Sequence, residues 1–190
     1  MSKTTEYNYS YVSDYLFINF LNTINIKKIA VTDFLEDQKG LEDWLLFMKE
    51  RGVLTPQQAT ALQQSPINVQ EMKAFRDQWR NRLSHPEELA DSLGSLASLT
   101  QETPLYFDGR FNPVPSSGGT EGLLALLSFD LLQAFQNGVF SKLKKCESSL
   151  CYAFFIDSSG KRKWCSMEVC GNREKARRHY AKKTNPEASL

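Results

Sequence analysis

The only cysteines in this 190-residue chain are Cys146, Cys151, Cys165 and Cys170, spaced C-x4-C-x13-C-x4-C inside one short C-terminal window. Two close pairs separated by a spacer little longer than a β-hairpin are how a chain brings four thiolates around one Zn²⁺. Four thiolates fill every tetrahedral position and leave none for water, so such an ion is structural. The competing arrangement is a disulfide framework, for which four cysteines allow three pairings. Small secreted domains use such frameworks. The opening MSKTTEYNYS has no apolar signal-peptide core, and no stretch approaches the roughly 18–20 apolar residues of a membrane span. The expectation is a cytoplasmic protein whose thiols stay reduced and bind one structural zinc ion, with no membrane partner.

Charge separates the same region from the rest. Residues 141–190 carry twelve Lys and Arg against five acids, a net +7, whereas residues 1–140 carry 11 basic and 17 acidic groups, a net −6. An acidic body joined to a basic, cysteine-rich tail points to a polyanionic partner.

The body reads as mostly helical. Leu16, Phe17, Phe20, Leu21 and Ile24 recur on one helical face. Leu41, Trp44, Leu45 and Met48 mark a second helix that stops near Gly52, and Thr55-Pro56 reads as a cap followed by a first helical residue. Met72, Phe75, Trp79 and Leu83 define a longer helix, and Leu89, Leu93 and Leu96 another. Leu105–Phe111 reads as a strand and turn, Pro113–Gly119 as a breaker-rich loop, and Thr120–Phe140 as an apolar helix with a stop at Asn137-Gly138. In the tail, Tyr152–Ile156 reads as a strand, Asp157–Gly160 as a turn, and Arg162–Trp164 as the returning strand. Asn172 is placed to cap a last helix running to about Lys183. The expected fold is mainly α: a helical domain over 1–140 with minor β, then a four-cysteine module over 141–190 built as a β-hairpin plus helix.

In the last helix, Ala176 and Tyr180 share a face with Asn172 that would pack on the metal module. Lys175, Arg178 and Lys182 form one basic stripe, and Arg173 with Arg177 a second. Such a helix suits a DNA groove, where phosphates attract the charge and Arg can fork onto guanine. The competing reading is a solvated helix whose cations offset the −2 charge of a zinc tetrathiolate and complement the helix C-terminus. Trp164, Phe154 and Phe155 could stack on bases but suit the small core of the module better. Asn19 and Asn22 lie among apolar residues, where they could hold a small polar ligand or make local hydrogen bonds. His85 and His179 belong to no catalytic arrangement, and no phosphate loop, HExxH or nucleophile elbow is present, so no enzyme activity is expected.

Cys170-Gly171-Asn172-Arg173, with Phe155-Ile156-Asp157, Trp164-Cys165-Ser166-Met167 and the basic helix after it, resembles the CGNR zinc finger. Asn19–Thr23, Leu41 with Trp44-Leu45, and Phe75-Arg76 with Leu83 resemble the ABATE domain that usually precedes this finger. Asn19 stands where that family commonly has an acid. Lys163 stands where Arg is common, which removes bidentate geometry. The resemblance implies a bacterial, cytoplasmic, zinc-binding, stress-responsive transcription regulator. The expected partner is double-stranded DNA, contacted by Arg162, Arg173, Lys175, Arg177, Arg178 and Lys182. Arg173 is the one most suited to supporting the zinc site instead. The body would sense a ligand through Asn19 and Asn22, or mediate homo-oligomer assembly. In the alternative, the finger is a structural or protein-interaction cap on a small-molecule-binding body.

Overall fold

A computed structural model describes residues 11–27, 30–85 and 89–184. Pro86 and the side chain of Lys182 lie outside what it describes. The elements run α1 (Leu16–Leu21), β1 (Ile24–Lys27), β2 (Ala30–Asp33), α2 (Gln38–Glu50), α3 (Pro56–Leu62), α4 (Val69–Arg82), α5 (Leu89–Glu102), β3 (Leu105–Phe107), β4 (Pro113–Pro115), α6 (Gly119–Gln136), β5 (Leu143–Lys145), β6 (Phe154–Ile156) and α7 (Asn172–Thr184). A 3₁₀ turn at Val139–Lys142 leads into β5, and a π-helical turn at Met167–Gly171 leads into α7. The fold is mainly α, with three two-stranded antiparallel sheets among the described residues. No helix among the described residues is long and apolar enough to cross a membrane.

Local signals place most helix ends. Asp37 caps α2 by accepting from the Gly40 N–H at 2.8 Å. Thr55 and Gln58 form a reciprocal capping box around Pro56 at the start of α3. Asn68 caps α4 through the N–H groups of Gln70 and Glu71. After α6, Gly138 turns the chain with φ +68°, a left-handed conformation that side chains disfavour.

The core forms around α1 and α6. All six residues of α1 are buried, and α6 buries Leu123, Leu124, Leu126, Leu127, Leu131 and Ala134. A helix apolar on most of its circumference belongs inside. Phe20 meets Trp44 edge-on at 5.3 Å between ring centroids, and Phe75 lies against Trp79. Burial of each such side chain contributes about 1.5–3 kcal/mol.

Two segments depart from the sequence-based expectation. The first helix does not include Ile24. It ends at Leu21, the Thr23 hydroxyl donates to the Phe20 carbonyl at 2.7 Å, and Ile24 opens a hairpin paired with Asp33. The alternating Ile24-Asn25-Ile26 suits a strand better than a helix. Pro113-Val114-Pro115 is a strand rather than a loop, paired with Leu105–Phe107. Proline is compatible with it because an edge strand is bonded on one side only.

Candidate metal centre

The strands β5 and β6 form a hairpin whose connecting segment carries the first cysteine pair. Leu143 pairs with Ile156 and Lys145 with Phe154. The ladder continues as Cys146 N–H donates to Ala153 O at 2.9 Å, and Cys151 N–H donates to Ser148 O at 2.9 Å. The hairpin therefore lies around the first pair. The expected hairpin inside the insert, with Arg162–Trp164 as its second strand, does not form. That stretch is drawn instead into a loop centred on the buried carboxylate of Asp157. It accepts from Lys144 Nζ at 2.7 Å, from the Ser159 N–H and hydroxyl, and from the Arg162 N–H at 2.9 Å. The Lys144 ammonium, with these other donors, holds the carboxyl well below its usual range.

The second cysteine pair comes from this loop and the π-helical turn. The four Sγ atoms lie within 4.8 Å of one another, with Cys151–Cys165 at 3.7 Å and Cys165–Cys170 at 3.6 Å. Zn–S bonds of about 2.3 Å in a tetrahedron imply S–S edges of about 3.8 Å. The spacing therefore fits one tetrahedral zinc, whereas all four thiols are free of disulfides. Backbone N–H groups of Ala153 and Cys165 donate to Cys151 and Cys146 Sγ, each at 3.5 Å. The thiols resist ionising together. Hydrogen bonding from Cys165 lowers Cys151 to about 5, and burial pushes Cys170 up to about 12. A divalent cation at their centre supplies the positive charge that lets all four bind as thiolates.

The segment after the last ligand is shaped by Gly171. A Cβ there would lie 2.6 Å from Met167 Sδ and 3.1 Å from Trp164 Cδ1. Glycine lets the indole and thioether close over the start of the helix. Residues 142–183 match the family model of the CGNR zinc finger. No curated protein matches the chain.

The helix of the CGNR finger differs from expectation in how it is anchored. Asn172 is not its cap, because it is already helical at φ −68° and ψ −37°. Ser166 caps the preceding turn by accepting from the Val169 N–H at 3.2 Å. Ala176 and Tyr180 are exposed rather than buried against the module. Glu174 is the buried residue: it accepts from the Ser148 hydroxyl at 3.0 Å and pairs with Arg177 at 2.8 Å. The Arg177 guanidinium is the main reason its carboxyl sits below the usual range. A hydrophobic-face argument misses Glu174, because its burial depends on a hydroxyl 26 residues away.

The candidate DNA-contact residues fall into two groups. Arg162 is held by the module: its guanidinium donates to Ile156 O, Trp164 O and Cys165 O and lies 4.8 Å from the Phe155 ring. Its geometry is that of a brace across the zinc loop, although the residue is exposed. Arg173 donates to Leu150 O at 3.1 Å, tying the helix start to the first cysteine loop. Arg177 is engaged by Glu174, though 63% of its side chain is exposed. Lys175 and Arg178 reach solvent without a hydrogen-bond or ion-pair partner among the described residues.

The amides of Asn19 and Asn22 are both engaged within the protein, the hydrogen-bonding role of the two weighed for them. Asn19 Oδ1 accepts from Val12 N–H, and its Nδ2 donates to Ser13 O and Tyr15 O. Asn22 grips β6 from both sides of one residue: Nδ2 donates to Phe154 O at 2.9 Å and Oδ1 accepts from Phe154 N–H at 2.8 Å. Arg80 joins the same contact. It donates to Leu21 O and to Tyr152 O and lies 5.1 Å from the Phe154 ring. Sequence reasoning passed over Arg80. Its available signal was its place four residues after Arg76, on a helix whose neighbouring positions are core.

Proposed function

We propose that the protein is a DNA-binding regulator whose CGNR finger contacts duplex DNA while the helical body holds the finger in place. The observation that carries this reading is the exposure of α7 from Lys175 to Ala181, directly after the four-cysteine cluster. The structural-cap alternative would bury that cationic face against the body, so its exposure favours DNA. Because Arg162, Arg173 and Arg177 are held by the module, the contact set is smaller than charge counting suggests. It centres on Lys175, Arg178 and the exposed Lys161, with Lys163, paired to Glu147 at 3.7 Å, beside them. Phosphates would take these cations, and salt would weaken the complex through counterion release. The reading is of a binding protein rather than an enzyme, in a cytoplasmic, stress-responsive role.

For the body, a small-molecule role shifts away from the two asparagines to a polar recess of about 190 Å³, lined in part by Asp14, Thr55, Gln58, Asn112 and Asp130. Asp130 accepts from the Phe17 N–H at 2.8 Å, and α1 carries the Asn22 grip on the finger. A ligand at Asp130 would thus bear on the helix that holds β6.

Fluorescence anisotropy of full-length, zinc-loaded protein on duplex DNA at about 50 mM salt tests the main reading. About four phosphate contacts imply a log–log salt slope near −4, and Lys175→Ala should reduce its magnitude by about one. Absence of salt-dependent affinity would sink the regulator reading and favour the cap.

A further inference from the structure

The CGNR finger exposes apolar side chains on the turn that leads into its last metal ligand. Met167 is 53% and Val169 55% exposed, on the turn between the third and fourth metal ligands. The finger's buried apolar cluster is small: Cys146, Phe155 and Cys170, with Cys151, Trp164 and Cys165 partly buried against it. A module with so small a core would gain by covering such residues. The turn is also fixed in place. Ser166 Oγ accepts from the Val169 N–H, and Ser166 O accepts from the N–H groups of Cys170 and Gly171 at 3.0 Å each. Cys170 is itself a metal ligand. Along the chain the turn is flanked by exposed Lys161 and Lys163 on one side and by Lys175 and Arg178 on the other. The exposed Glu168 lies between the two apolar residues. Two apolar side chains and one carboxylate on a turn of fixed shape, with cations before and after it, suit the floor of a DNA major groove, where the thymine 5-methyl group is the apolar feature, a cytosine amine can donate to the carboxylate, and phosphates line both edges.

Resting on the DNA-binding reading above, we infer that Met167 and Val169 are specificity-determining residues that contact thymine methyl groups in the major groove. The cations on either side supply affinity without sequence information. Met167, unbranched and polarizable, adapts to the methyl surface, whereas Val169 offers a stiff one.

The test compares two duplexes of about 20 base pairs, alternating adenine–thymine and the same sequence with uracil for every thymine. Their phosphates and hydrogen-bonding edges are the same, and only the methyl groups differ. Full-length, zinc-loaded protein should bind the thymine duplex at least about fourfold more tightly, the effect of one buried methyl group, with the same salt slope on both. Met167→Ala and Val169→Thr should each shrink that preference and leave the slope unchanged. Lys175→Ala should do the reverse. Because Met167 also covers Gly171 and Trp164, zinc stoichiometry is measured for each variant, and Val169→Thr decides if Met167→Ala loses metal. Equal, salt-dependent binding to both duplexes would overturn the methyl contact and leave the DNA reading standing, as would a preference that survives both substitutions. Binding to neither duplex would overturn both.

Discussion

The body buries Trp44, Trp79, Phe17 and Phe20 almost completely within one continuous core, whereas the CGNR finger's own core is Cys146, Phe155 and Cys170. The first region has enough apolar surface to hold itself together, and the second depends on its metal. Their meeting point is a single strand. Phe154 belongs to the core of the body and Phe155 to that of the finger, because successive side chains of β6 point to opposite faces. Asn22 and Arg80 then fasten the backbone around Phe154 to α1 and α4. The finger is therefore held on the body by a shared wall as well as by the chain.

Removing zinc should separate the two regions most strongly, since structural zinc in finger peptides is worth about 10–16 kcal/mol. Hydrogen exchange after chelation should show lost protection beyond Cys146, with α2, α4 and α6 still protected. Collapse of α4 and α6 as well would mean that the shared wall, rather than the metal, dominates.

Substitution on the wall should split the pair of phenylalanines. Phe154→Ala should lower whole-protein stability in urea by about 3–5 kcal/mol. Phe155→Ala should leave the body's transition in place and weaken zinc retention. Identical urea midpoints for the two variants would break the two-core description.

Asn22→Ala leaves the N–H and carbonyl of Phe154 buried without their partner, at a cost of about 1–3 kcal/mol for each. The loss should appear as faster exchange in β6 and weaker zinc retention. Asn22→Asp should be intermediate, because a carboxylate still accepts from the Phe154 N–H but cannot donate to its carbonyl.

A further effect concerns pH and lies in the body alone. Burial pushes the Asp130 carboxyl up to about 7 from 3.8, against the N–H bonds from Phe17 and Leu16. Its contribution to stability is full below about 3.8 and is lost as pH rises through about 7. Asp33 runs the other way. Burial also pushes it up, but Arg76, at 2.6 Å, and Lys73 outweigh that and bring it to about 2. Its contribution is present above 3.8 and lost as pH falls towards 2. Melting temperatures between pH 4 and 8 should therefore fall less in Asp130→Asn than in the parent, and an unchanged profile would count against the raised carboxyl.

The metal centre was legible because ligand chemistry is written in residue type and spacing. Cys146, Cys151, Cys165 and Cys170 needed no tertiary information to be grouped, and the caps at Thr55 and Gly138 were equally local. The helices of the body followed from apolar periodicity. The hairpin position, the anchor at Glu174 and the brace at Arg162 were not legible, because each depends on a partner chosen by folding. The exposed basic helix and the duties of Asn19 and Asn22 were ambiguous for the same reason: a polar side chain does not announce whether its partner is a ligand or its own backbone.

By itself the sequence determined a mainly helical body, a four-thiolate zinc module and a concentration of positive charge beside it, since each rests on composition, period or spacing along the chain. Only the tertiary structure decided that Asn22 binds β6, that three of the candidate arginines hold the finger together, and that Lys175 and Arg178 extend into solvent. Those outcomes depend on which polar groups folding brings together, often from distant parts of the chain, as with Asn22 and Phe154 at a separation of 132. A buried donor or acceptor takes the partner that packing brings to it.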